Sequence, residues 1–287
     1  MLKRLRANHP LVYCLGAVAL FLAAMFVGSL LLTLLLLGLA PWAAGPFLAE
    51  DFLFQAAVEA IGLAVPLALL WRSGRLGVFA RRGAGFLDGL LVGVYPFVWL
   101  SLSLSVNLAL VGPPEGAAVK APWRIAAFFL AMFLIGLAEE ALFRGVVAET
   151  LLAHFGPRRA GVWKACAVSG ALFGLGHAVN LMSSEPVGVL IQCCVTAALG
   201  MLYAAIYYRT GNLWVLIFLH TLQDVAALIN SGLYDGTATI SEVVSSYDPS
   251  MLLSALLYLL PVFYLLRGSR LPLVAAFWGM DDAPEAA

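Results

Sequence analysis

Long, almost uncharged apolar runs dominate the chain, near residues 11 to 40, 52 to 71, 86 to 111, 125 to 153, 165 to 182, 187 to 208, 212 to 230 and 250 to 267. A helix needs about 20 apolar residues to cross roughly 30 Å of hydrocarbon, and these runs have that length. They lack the two-residue alternation of a lipid-embedded barrel strand, so each predicts a helix with its backbone hydrogen bonds satisfied internally. The pattern therefore predicts an all-α polytopic transmembrane helix bundle of about eight spans. The run at 11 to 40 follows Lys3, Arg4 and Arg6 as a signal peptide would, but it is longer than a cleavable segment and reads as a retained span. A short apolar stretch, Leu271 to Trp278, is too short to span and is expected to lie at the interface.

Composition agrees with this picture, since 63% of the 287 residues are hydrophobic and 11% are charged. The mean hydropathy is +0.97. A formal net charge of zero from 16 basic and 16 acidic residues leaves no basic excess for nucleic acid, and none is expected as a partner. Threading the chain back and forth puts every Lys and Arg except Lys120, Arg124 and Arg144 on one side, which the positive-inside bias makes the cytoplasm, with both termini there. Cys14, Cys166, Cys193 and Cys194 all fall in apolar runs without metal-knuckle spacing. Gly85, Gly89 and Gly93 recur every fourth residue, as do Gly170 and Gly174, a spacing for close helix packing.

Ionisable side chains at membrane depth are costly, so each asks for a partner and a purpose. Glu139, Glu140 and Arg144 sit in the fourth run within AEEALFRG, His177 in the fifth within ALFGLGH, and His220 and Asp224 in the seventh within FLHTLQD. Glu140 and Arg144 are i and i+4 with the acid first, a favourable helical ion pair. Glu139 points about a quarter turn away and must face something on another helix. His220 and Asp224 share one helix face, and with His177 they can surround one polar cavity. Two histidines and one or two carboxylates suit zinc, and the same groups suit water activation and oxyanion stabilisation without metal. Each piece alone also has a structural reading, as a buried pair, a hydrogen-bond anchor or a core histidine. Glu59, in the second run, has three open readings: a protonated acid, a bond to a neighbouring helix, or a cavity wall.

The ordered motifs EExxxR (Glu139, Glu140, Arg144), FxxxH (Phe173, His177) and HxxxD (His220, Asp224) resemble the CPBP family of intramembrane proteases. That family includes the CAAX prenyl endopeptidases and bacterial proteins of the self-immunity type. Asp224 stands where the eukaryotic prenyl proteases have Asn. The resemblance covers about residues 123 to 230. It implies N-terminal transmembrane helices over 1–122, a protease core over 123–232, and an outer loop, last span and tail over 233–287, with a catalytic cavity between helices 4, 5 and 7.

By resemblance, Glu139 activates water, and His177, His220 and Asp224 complete the site through oxyanion or metal binding. Glu140, Arg144 and Phe173 support it. A divalent metal, zinc first, is a candidate cofactor on His177, His220, Glu139 and Asp224. Expected partners are membrane lipid and a protein or peptide substrate, including a lipid-modified one. The sequence has no HExxH, no G-x-S-x-G-like serine motif in a span, and no paired aspartyl motifs. The rival readings are a proton-coupled transporter and a non-catalytic scaffold or immunity protein.

Overall fold

A computed structural model describes residues 2–48, 51–81, 83–113, 115–156 and 158–279. Arg82, one of the predicted cytoplasmic basic residues, and the tail from Met280 lie outside the described residues. Among the described residues the chain is helical and has no strand, only an isolated bridge between Val119 and Tyr234. Seven helices among the described residues are long and apolar enough to cross a membrane: Pro10–Leu39, Phe52–Ser73, Val94–Val111, Pro122–Phe155, Arg159–Met182, Pro186–Thr210 and Leu213–Leu233. Pro249–Leu265 and Gly268–Phe277, bent by 59° at a short break, make an eighth when taken as one span. The chain is an all-α, multi-pass membrane protein.

Local chemistry sets many of the boundaries. Pro10, Pro122 and Pro186 each stand in the first turn of a span, where the missing N–H costs nothing. Between the sixth and seventh spans the chain reverses at Gly211, left-handed at φ 59°. A side chain there would also run into the Phe277 ring. Asn212 then starts the seventh helix by accepting a hydrogen bond from the Trp214 backbone N–H at 3.0 Å.

Three elements differ from the sequence reading. The third run is broken at Gly93 into Phe86–Val92 and Val94–Val106, and it ends in a π turn, Asn107–Val111. The fourth run contains a π-helical stretch, Ala141–Ala148, between α-helical Pro122–Glu140 and Glu149–Phe155. The segment read as a bare outer loop carries a short helix, Ile240–Ser245, begun by a capping box in which Thr239 and Glu242 bond each other's backbone N–H.

The glycines at fourfold spacing are sites of close approach. A Cβ on Gly89 would lie 2.7 Å from Val215, and one on Gly93 3.0 Å from Leu219, so the third run packs tightly on the seventh span. One on Gly170 would lie 2.6 Å from the Ala197 carbonyl, which fixes the fifth span against the sixth. Lipid faces most of the first span, while the fourth, sixth and seventh are about half buried in protein.

The basic residues gather at one end of the bundle around Glu149, which sequence reasoning passed over as part of an apolar run. Glu149 is buried, paired with Arg81 at 2.7 Å and Arg75 at 3.3 Å, and accepts the Tyr207 hydroxyl at 2.7 Å. Arg81 also lies over the Trp278 ring, whose indole N–H donates to the Tyr208 carbonyl at 3.0 Å. The terminal helix Leu271–Phe277 is thus not a free interfacial segment but packs onto the bundle, with Leu271 and Val274 buried.

Candidate active site

Glu139 and Glu140 lie midway along the fourth span. Gly136, one turn before Glu140, lets that helix come close to the seventh, because a Cβ there would lie 2.8 Å from Thr221 Oγ1 and 3.1 Å from the Ile217 carbonyl. This close approach brings both glutamates to His220. The spacing pattern that singled out other glycines offered no cue to Gly136.

Glu140 and Arg144 are both fully buried, with Glu140 Oε1 3.0 Å from Arg144 Nη1. The same Oε1 lies 2.8 Å from His220 Nδ1. A carboxylate can only accept, so Nδ1 carries the proton, and Nε2 faces the opposite way. Arg144 further donates to the Gly200 carbonyl at 3.3 Å and lies over Phe173 and Tyr203, 4.6 and 5.4 Å from their ring centroids. Desolvation of this guanidinium is therefore offset by one anion, one carbonyl and two aromatic faces.

Phe173 orders the rest of the site. Its ring lies 5.1 Å from that of His177 and 5.7 Å from that of His220, edge-on to both, and 4.9 Å from that of Phe143. Its carbonyl is 3.0 Å from His177 Nδ1, which makes Nδ1 the protonated nitrogen of that ring and leaves Nε2 as the second functional atom. His177 opens a two-turn 3₁₀ segment, His177–Met182, at the end of the fifth span, and Val179 and Asn180 of that segment also line the cavity.

On the far side of His220, Nε2 lies 3.8 Å from Glu139 Oε2 and 3.7 Å from Asp224 Oδ2. Both distances exceed a direct hydrogen bond, and both oxygens are buried without a hydrogen-bond partner. Such atoms call for a shared ligand or bridging water. Glu139, Asp224 and His177 line one cavity of about 250 Å³.

The cavity is wider than one between helices 4, 5 and 7. Phe21, Leu22 and Met25 of the first span, Gln55 and Glu59 of the second, Gln192 of the sixth, and Val243 and Tyr247 beyond the seventh also line it. Glu59 is buried, accepts a hydrogen bond from Gln55 Nε2 at 2.7 Å, and has its second oxygen unpartnered, so it is a cavity wall. Asn180 donates to Gln192 at 2.8 Å across the cavity rim.

The donor types suit zinc, but among the described residues no group of three or more His, Cys, Asp and Glu side chains is arranged to hold a metal ion.

Residues 121–226 match a family model described as type II CAAX prenyl endopeptidase, Rce1-like. The matched segment begins just before the fourth span and ends just after Asp224, so it holds every residue of the three motifs. No curated protein sequence matches the chain.

Proposed function

We propose that the chain is an intramembrane endopeptidase that uses Glu139 to activate water, a reading supported by the match of residues 121–226 to the Rce1-like prenyl endopeptidase family. The observation that carries this reading is the convergence of two unpartnered carboxylate oxygens, on Glu139 and Asp224, toward His220 Nε2 in a buried cavity. Glu139 takes a proton from the water as its oxygen attacks the scissile carbonyl. Because Nδ1–H is held by Glu140, His220 meets the charge developing on the carbonyl oxygen as an imidazolium, through Nε2–H, with His177 beside it. Glu139 then gives its proton to the amide nitrogen as the C–N bond breaks, so acid and base balance over one turnover.

Glu140 acts through His220 by holding Nδ1, and Arg144 fixes Glu140. The apolar wall of Phe21, Leu22, Met25 and Ile135 suits an apolar side chain of a membrane-associated protein or peptide, lipid-modified or not. Zinc, for which these donors are not arranged among the described residues, is the alternative activator that the resemblance implies. Elemental analysis of the purified protein together with cleavage in chelator separates the two chemistries. The basic end of the bundle faces the cytoplasm in this reading. Reporter fusions after residues 45, 115, 184 and 240 then report outside, and those after 80, 160 and 270 inside.

The test compares protein termini in membranes from cells making the wild-type protein and Glu139→Gln. Termini that vanish with the variant support the protease. Unchanged termini with full activity of the variant overturn it. Proton flux in sealed liposomes that Glu139→Gln abolishes, with no cleavage, would instead mark a transporter.

A further inference from the structure

Away from the catalytic cavity, on the lipid-facing flank, the third, sixth and eighth helices enclose a groove of about 410 Å³. Its walls include Leu91, Val94, Leu202 and Pro261, and Arg209 and Arg270 stand at its basic end. Leu202 lies two turns from Arg209 on the sixth helix, about 10 Å at helical rise. The groove therefore runs from guanidinium groups at one end of the bundle into the apolar depth of the membrane. Among the described residues its lining holds no carboxylate.

Arg209 donates from Nη1 to the Leu265 carbonyl at 3.2 Å, while its Nε is buried without a hydrogen-bond partner. Arg267 lies nearby, stacked on Tyr264 at 4.0 Å, and the three guanidiniums are close enough to repel one another. Elsewhere at this end Glu149 answers both Arg75 and Arg81. Among the described residues no carboxylate pairs with Arg209 or Arg270, so the groove offers two guanidiniums to an anion.

We propose that this groove binds one anionic phospholipid, its phosphate held between Arg209 and Arg270 and an acyl chain laid along Leu91, Val94, Leu202 and Pro261. Charge complementarity selects the headgroup, and the apolar walls select a lipid over a free phosphate. The bound lipid would tie the eighth helix to the third and sixth, because its partners come from all three.

Full-length protein in a nonionic detergent can be titrated with phosphatidylglycerol, phosphatidylcholine or glycerol 3-phosphate, with bound molecules counted by native mass spectrometry. Phosphatidylglycerol is expected to be retained about tenfold more strongly than phosphatidylcholine, and glycerol 3-phosphate not at all. Arg270→Ala should weaken retention roughly fivefold, the scale of one basic side chain at an anionic surface. Val94→Trp, at a lipid-exposed position, should displace the acyl chain and weaken retention without altering charge. Equal retention of the two lipids, retention of glycerol phosphate as strong as that of the lipid, or unchanged retention in either variant would overturn the proposal.

Discussion

Glu139 and Glu140 are neighbours in sequence with different surroundings, and replacing each with Gln should separate stability from activity. Glu140→Gln keeps an oxygen that can accept His220 Nδ1–H but removes the anion beside Arg144, whose side chain is fully buried. Arg144 cannot shed its proton, and only neutral partners remain to it, the amide oxygen, a carbonyl at 3.3 Å and two aromatic faces. Breaking a buried ion pair from one side costs about 3–5 kcal/mol. At about 2–4 °C per kcal/mol for a large domain, the melting temperature should fall by roughly 6–20 °C. Glu139→Gln removes no such pair, since its Oε2 is 3.8 Å from His220 Nε2 and otherwise unpartnered. Its melting temperature should stay within about 2 °C of wild type, while cleavage falls by about 10²–10⁴-fold, the usual worth of a general base. Tryptophan-fluorescence melting in detergent and turnover of a quenched peptide in liposomes measure the two effects on the same preparations. A Glu140→Gln protein that melts like wild type, or a Glu139→Gln protein as destabilised as Glu140→Gln, would refute the division of roles.

Glu149→Gln should cost about 2 kcal/mol, less than a fully buried pair because Arg81 is 33% exposed and solvent screens it, and thermal melting should show the loss. Gly174→Ala drives a methyl into the Cys193 carbonyl, one turn before His177, so it should destabilise by about 1–3 kcal/mol and slow cleavage as well; wild-type turnover in that variant would show that the fifth and sixth helices can separate freely. The Glu242 carboxyl is held below its ordinary range by the Thr239 backbone N–H and then by the Thr239 hydroxyl. A depressed folded-state value stabilises above the unfolded value, near 4.3, and that stabilisation is lost as pH falls through the folded value. Amide exchange in Ile240–Ser245, corrected for intrinsic rates, should therefore accelerate below about pH 4, and Glu242→Gln should remove the pH dependence.

The spans were legible because each apolar run is long enough to cross a membrane by itself, and composition alone settles that. Glu140 and Arg144 were legible from their i, i+4 spacing, and Glu139 from having no partner on its own helix. What the seventh helix adds was not visible, because Glu140 serves Arg144 and His220 with one oxygen, and His220 lies 80 residues beyond Glu140. The π stretch Ala141–Ala148 leaves no mark in composition or periodicity. Glu59 could not be placed because the first and second spans become cavity walls only through tertiary packing. The helix over Ile240–Ser245 did have a local signal, Thr239 followed three residues later by Glu242, but it lay in a segment too polar to suggest a cavity wall.

The pairing of Arg144 within its own helix also bears on how the protein is made. The fourth span must enter the bilayer carrying Glu139, Glu140 and Arg144, and an isolated Arg or acid at mid-helix raises the cost of insertion by about 2.5–3.5 kcal/mol. Glu140 can neutralise Arg144 as soon as that segment is helical, before any later span exists. His220 is synthesised 80 residues after Glu140, a delay of about 4–16 s at ordinary rates of translation. During that interval the nascent chain holds a salt-bridged span without its His220 partner, and the seventh helix completes the proposed catalytic centre as it arrives.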